Sequence, residues 1–273
     1  YHIKNSFDFF QNNSNIDKKT YEDIDSIMIL GMGGSGITGL LISKLLKDKL
    51  NIPIYVNQSY SPDKSRVTSQ TLVIACSYSG NTEETIEACS KCMNRTPKII
   101  GLSTGGKLYK YLKKQKKDFI KLPIGLQPRA AIGYSFSLML LLLNEIGVLE
   151  QGAKILNKNL THSINPLIDC MKKYSVPDKN NPAYDLATKI YNKNPIIYAE
   201  DGIFNTIAYR FKCQLAENSK ILAFNNSIPE MNHNEIEAFT NQVNKNSNFV
   251  IIWIRQTSMN SAYNKRINIV NKI

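Results

Sequence analysis

The sequence predicts a two-domain α/β protein built on a doubly wound parallel sheet, and three observations lead there. Five short apolar runs, at 26–30, 53–57, 71–76, 97–102 and 118–122, alternate with segments of helical periodicity, as expected of a parallel sheet covered on both faces. Two of these runs end in glycine- and hydroxyl-rich turns, Gly31-Met32-Gly33-Gly34-Ser35-Gly36 and Ser77-Tyr78-Ser79-Gly80-Asn81-Thr82. Near residue 151 the chain changes character and a second, shorter α/β region begins, so the expected domains are 1–150 and 151–273.

Composition bounds the possibilities. At 273 residues and 42% hydrophobic the chain can bury a substantial core, enough for two domains of ordinary size. The net charge of +12 suits an acidic ligand, but charge alone does not choose among nucleic acid, a membrane surface and a phosphorylated metabolite. Five cysteines, an odd number, suggest reduced thiols in a cytosol. Cys89 and Cys92 have metal-like spacing without a second Cys or His pair and are read as helix packing. The apolar run 138–143 continues into Asn144 and Glu145, too short to cross a bilayer, and no signal peptide is visible. The expectation is a cytoplasmic protein with no membrane contact.

Taken in order, 1–25 is a polar lead-in anchored by Phe7, Phe9 and Phe10. Strand 26–30, the glycine turn and a helix over 37–46 open a parallel α/β unit. Gly31, Gly33 and Gly36 match the dinucleotide pattern, yet the next strand ends in Val56, Asn57 and Gln58 with no carboxylate for a ribose, so the glycines are read as close approach to a smaller ligand. Gly34 and Ser35 would face it through their amides and the Ser35 hydroxyl. After strand 71–76, Ser77, Ser79 and Thr82 place three hydroxyls beside outward amides at the positive end of a helix, a setting for phosphate. A plain turn with Asn81 or Thr82 capping the helix is the alternative.

Both turns lie at carboxyl ends of strands and would open on one edge of the sheet, where such folds bind ligands. The segment 107–121, with seven lysines and one aspartate, reads as a solvated helix face rather than a nucleic-acid patch. Arg129 follows a proline at a helix start, where its fork can be held rigidly, although a plain surface role stays open.

Beyond 151, helices run to 192 around a loop at 177–182, and strands are expected at 195–199, 220–224 and 248–254. Between the first two lies a helix over 202–218, with Ile207, Phe211 and Leu215 on its inner side and Glu217 closing it. The stretch 229–235 begins the next helix and contains His233, flanked by Asn232 and Asn234. Read singly, Glu217 is a helix-end charge, and His233 is either structural or catalytic.

The segments 31–36, 77–85, 127–129, 217–220 and 229–235, in this order, resemble the bifunctional phosphoglucose/phosphomannose isomerases of the sugar isomerase (SIS) domain superfamily. The resemblance implies two SIS subdomains, each a flavodoxin-like parallel sheet flanked by helices. It also implies a homodimer with a shared active site, converting aldose 6-phosphates to fructose 6-phosphate and back. Carried over by position, Ser77, Ser79 and Thr82 would hold the phosphate, with Gly33, Gly34 and Ser35 on the substrate and Arg129 beside the reacting carbons. Glu217 would be the base, and His233 of the neighbouring subunit would help open the sugar ring.

The implied chemistry suits these residue types. One carboxylate can move a proton between C2 and C1 from a single face, an arginine can stabilise the enediolate without competing for the proton, and a histidine can shuttle protons near neutrality. No metal or redox cofactor is required. Family members also resemble each other in a C-terminal helix bearing a lysine that assists ring opening. The sequence reaches Ile273 soon after the strand at 248–254, neither Lys265 nor Lys272 is assigned to that helix, and mannose specificity stays open with it. The alternative is a non-enzymatic SIS module that senses a phosphosugar, needing the phosphate turns but not Glu217 and His233 together.

Overall fold

The apolar runs of the first half become strands, those at Ser26–Leu30, Thr71–Cys76 and Ile99–Ser103 buried on both faces, and their alternating side chains divide the core in two. The computed structural model describes residues 1–14, 16–149, 152–176, 178–240, 248–255 and 261–271. It divides into two compact units, Tyr1–Asp169 and Cys170–Ile273.

In the first unit, helix α1 (His2–Asn13) precedes strand β1 (Ser26–Leu30), helix α2 (Gly33–Leu46), β2 (Ile54–Asn57), β3 (Thr71–Cys76) and α3 (Glu83–Cys92). Then come β4 (Ile99–Ser103), α4 (Gly106–Lys114), β5 (Asp118–Lys121), α5 (Ile132–Glu145) and α6 (Gly152–His162). The five strands are all parallel, in the order β2-β1-β3-β4-β5, which is the flavodoxin-like doubly wound order.

The two-residue period of a strand sends Ile27, Ile29, Leu72 and Ile74 to one face, where they pack with Phe10 of α1, Ile42 of α2 and Leu138 and Leu142 of α5. Met28, Leu30, Val73 and Ala75 point the other way, onto Ala88, Cys89 and Cys92 of α3 and Leu108 and Leu112 of α4. Cys89 and Cys92 are thus packing residues, as expected; burial pushes their thiols up to about 12 and about 11, so both are neutral near pH 7. Leu156 and Leu160 of α6 also pack on the first-unit core, and the units divide within the next helix, α7 (Ile164–Tyr174).

The second unit contains α8 (Pro182–Ile190), β6 (Asn194–Glu200), α9 (Ile203–Gln214), β7 (Phe224–Ile228), α10 (Glu235–Ala238) and β8 (Phe249–Ile254), and a helix Ser261–Val270 follows. Its strands are parallel in the order β7-β6-β8.

Two expectations move here. The strand placed at 220–224 lies at Phe224–Ile228 instead, pairing Ile196 with Phe224 and Tyr198 with Asn226. The apolar run 221–224 attracted the reading, but Leu222 is 67% exposed, while the true strand hides behind Asn225 and Asn226. The inner face of α9 is Phe204, Ala208, Phe211 and Leu215; Ile207 is exposed.

Candidate active site

In this strand order the connections from β1 and β3 depart to opposite faces, so the crevice of the sheet opens beyond their carboxyl ends. Leu30 of β1 pairs with Ala75 of β3, and the two predicted turns follow directly. Helix α2 starts at Gly33, four residues before the expected Ile37, so Gly33, Gly34 and Ser35 themselves form its first turn. The amides of Ser35 and Gly36 donate to Met32 O at 3.1 Å, those of Gly33 and Gly34 precede the helical bonds, and Met32 provides no side-chain cap.

Helix α3 is left open in the same way. Its N-cap, Thr82, makes no capping bond, because its Oγ1 lies 2.8 Å from Ser77 Oγ. Asn81 does not cap α3 either; its Oδ1 accepts from the amide of Lys107, in the first turn of α4, at 3.1 Å. The hydroxyls are turned away from the amides that a capped helix would use them for, and two adjacent helix N-termini remain for an anion.

Several contacts hold this corner together. The amide of Tyr78 donates to Ser35 Oγ at 3.2 Å and joins the two turns. The amide of Gly80 donates to Ser77 Oγ at 3.1 Å. Gly80 has φ +68°, and a Cβ there would collide with the carbonyl oxygen of Gly105, so only glycine lets the two loops meet. Buried Tyr78 donates its hydroxyl to Pro123 O at 2.8 Å and accepts from the Leu126 amide at 3.0 Å, fixing the loop that leads to Arg129. A Cβ on Gly34 would lie 3.1 Å from Pro128 O, so the backbone at Arg129 runs against the first turn of α2.

Gly33, Gly34, Ser35, Ser77, Ser79, Thr82 and Arg129 therefore belong to one corner of the first unit. Ser79 and Gly33 are exposed, Arg129, Gly34, Ser35 and Thr82 are half-buried, and Ser77 is buried with its hydroxyl engaged inside the turn. Ser79 Oγ accepts from the Asn81 amide at 3.2 Å. Where a dinucleotide site would carry a carboxylate, Gln58 instead presses its amide against Gly36. Sequence reasoning missed Tyr78 and the turn Ser103-Thr104-Gly105-Gly106, and offered Asn81 only as a cap of α3. The glycine pair after the fourth apolar run was the signal for that turn.

Glu217 and His233 lie in the second unit on separate segments. Glu217 is exposed on a π-helical turn, Leu215–Ser219, that continues α9. Lys220 closes the turn with φ +59° and donates its Nζ to Glu217 O at 2.7 Å. π-turns of this kind recur at functional sites. Arg210, one face of α9 earlier, is half-buried; burial lowers its pKa while the charge of Glu217 opposes the shift. His233 ends a 3₁₀ turn, Glu230–His233, and is exposed, two residues after the fully buried Met231. Lys265 lies on the helix Ser261–Val270; Lys272 lies outside the described residues. Among the described residues no cluster of metal-binding side chains occurs, and no helix is long and apolar enough to cross a membrane.

Comparison with known proteins places both units. The SIS domain family matches residues 20–113, and the bacterial phospho-glucose isomerase C-terminal SIS domain family matches residues 179–273. Among solved structures, the C-terminal domain of glucosamine-fructose-6-phosphate aminotransferase from Francisella tularensis superposes with a TM-score of 0.72 at 14% identity, covering 99% of this chain and 78% of that one. Glucosamine-6-phosphate deaminase from Thermotoga maritima gives 0.64 at 15% identity, covering 98% and 82%; at these identities the likeness concerns the fold.

A bifunctional phosphoglucose/phosphomannose isomerase of Caldicellulosiruptor bescii is 44% identical over 217 residues, 79% of this chain, which spans only 62% of that relative's length. The enzyme of the same name from Thermoplasma volcanium is 34% identical, covering 91% of this chain and 74% of its own length. A D-glucosamine-6-phosphate 4-epimerase of Sulfolobus acidocaldarius is 31% identical, covering 96% and 78%. At these identities and over these spans, the chain belongs to the bifunctional phosphoglucose/phosphomannose isomerase family.

Proposed function

We propose that the protein is a cytoplasmic aldose-ketose isomerase that interconverts glucose 6-phosphate, and mannose 6-phosphate, with fructose 6-phosphate through a cis-enediolate. The observation that carries the reading is the corner beyond β1 and β3, where two uncapped helix N-termini and the hydroxyls of Ser35, Ser79 and Thr82 converge. A phosphate dianion is the ligand that such amides and dipoles favour most. In this role Ser77, Ser79 and Thr82 hold the phosphate, with Ser77 acting through its bond to Thr82, and Gly33, Gly34 and Ser35 meet the sugar.

The remaining residues do the chemistry. Phosphate binding fixes the distance to C1 and C2, so part of its affinity serves orientation. Glu217 takes the proton from C2 and returns one to C1, and Arg129 faces the enediolate oxygens that become negative between the two steps. His233 moves a proton between ring and hydroxyl oxygens so that the sugar opens first. None of these steps calls on a cofactor or metal.

Assaying Glu217→Gln tests the enzyme reading against the sensor. Fructose 6-phosphate affinity should stay within about twofold while turnover falls roughly 10²–10⁴-fold; undiminished turnover would remove Glu217 from the mechanism. The Sulfolobus relative at 31% identity favours a second reading, inversion at C4 of an amino sugar phosphate. Offering glucosamine 6-phosphate beside glucose and mannose 6-phosphates decides between them by which product accumulates.

The protein is proposed to act as a homodimer in which His233 serves the neighbouring subunit's site. Glu217→Gln and His233→Ala variants, each inactive, should then recover about a quarter of native activity after equimolar subunit exchange, since random pairing yields half heterodimers with one intact site each. No recovery after demonstrated exchange would place His233 in its own subunit's site.

A further inference from the structure

We propose that Tyr198, Asn226 and Glu235 form a positioning network that sets the imidazole of His233 for ring opening, an inference that rests on the role given to His233 above. The segment carrying His233 is fastened at two points. Upstream, Met231 is fully buried among Tyr198, Ile228 and Ile267, a non-directional apolar anchor. Downstream, Glu235 is held by directed bonds. Tyr198 of β6 donates its hydroxyl to Glu235 Oε2 at 2.7 Å, and Asn226 of β7 donates its Nδ2 to Glu235 Oε1 at 2.8 Å.

Both donors are themselves immobilised. Tyr198 is fully buried, with its ring 5.2 Å from that of Trp253, and Asn226 Oδ1 accepts from the Ser227 amide at 2.7 Å, which fixes the sense of the amide. Asn234 closes the span, its Oδ1 accepting from the Glu235 amide at 2.7 Å and its Nδ2 donating to Glu230 Oε1 at 2.8 Å. Exposed His233 is displayed between the two anchors.

An apolar plug alone would retain the segment but leave its rotation loose, and a proton shuttle misplaced by an ångström loses much of its effect. Only a carboxylate accepts from both donors at once. A leucine at 235 would accept from neither, whereas a glutamine could still accept from Asn226 while giving its NH₂ to the Tyr198 hydroxyl, which accepts as well as donates.

Tyr198→Phe, which keeps the ring and deletes the donor, and Glu235→Leu, which removes both acceptors at a half-buried position, test the network in the full chain. The readouts are kcat/KM for glucose 6-phosphate and the primary isotope effect with deuterium at C2. Both variants should lose about tenfold in kcat/KM, and the isotope effect should fall toward one, because a slowed ring opening breaks no bond at C2. Thermal melts of each variant identify the folded fraction, and Glu235→Leu decides if Tyr198→Phe does not fold.

An unchanged or larger isotope effect in these variants, with His233→Gln still lowering it, overturns the network alone. A His233→Gln protein with native rate and native isotope effect removes His233 from ring opening, and the network falls with it.

Discussion

In the corner of the first unit the groups that would face a ligand are chiefly main-chain amides held in place by glycines, joined by the hydroxyls of Ser79 and Thr82 and by Arg129. In the second unit the corresponding groups are the side chains of Glu217 and His233, exposed on a π-turn and a 3₁₀ turn. Backbone donors survive any substitution except to proline and are otherwise only displaced. Side-chain donors can be deleted without touching the fold. Damage to the first region should therefore appear as lost stability together with lost phosphate affinity, and damage to the second as lost turnover in an intact protein.

Gly80→Ala should show the largest stability effect. The new Cβ meets the Gly105 carbonyl, and φ +68° suits glycine; strain and overpacking together should cost roughly 3 kcal/mol. A thermal melt should drop by several degrees, and fructose 6-phosphate affinity should weaken with it. Glu217→Gln, at an exposed position, should melt within about 0.5 kcal/mol of the native protein. A Gly80→Ala protein of native stability would break the contrast, because the loop would then have slack that the structure does not show.

The same contrast explains what was legible in the sequence. Strands β1 and β3 are buried on both faces, so their apolar runs announced themselves and their bounds were read to the residue. The turns after them were visible because glycine and serine are needed there for backbone reasons. Strand β7 was misplaced by four residues because its polar side chains work sideways, Asn226 onto Glu235, and a polar strand carries no apolar signature. The glycine-rich start of α2 was assigned to a turn, since glycine lowers helix propensity. Tyr78, whose hydroxyl clamps the loop before Arg129, was unreadable because its partners lie more than 40 positions away.

A weaker test of whether the two regions stand apart comes from one buried tyrosine in each. Tyr21 donates its hydroxyl to Asp118 Oδ2 at 2.9 Å in the first unit, as Tyr198 does to Glu235 in the second. In both cases burial, and then the adjacent carboxylate, raises the phenol above its ordinary pKa of 10.0. Folded and unfolded chains are both protonated below about pH 10, so neither tyrosine makes stability depend on pH there. Above that, the unfolded chain releases the proton while the folded one keeps it. Stability should then fall by about 1.4 kcal/mol per pH unit for each tyrosine. Trp253 is the single tryptophan of the sequence and lies beside Tyr198, so its fluorescence follows denaturant unfolding of the second unit. Tyr198→Phe should flatten the alkaline slope of that transition and Tyr21→Phe should leave it as it is. Equal flattening by both would mean that the two regions unfold as one block, and the separation of structural from chemical damage would have to be sought in turnover alone.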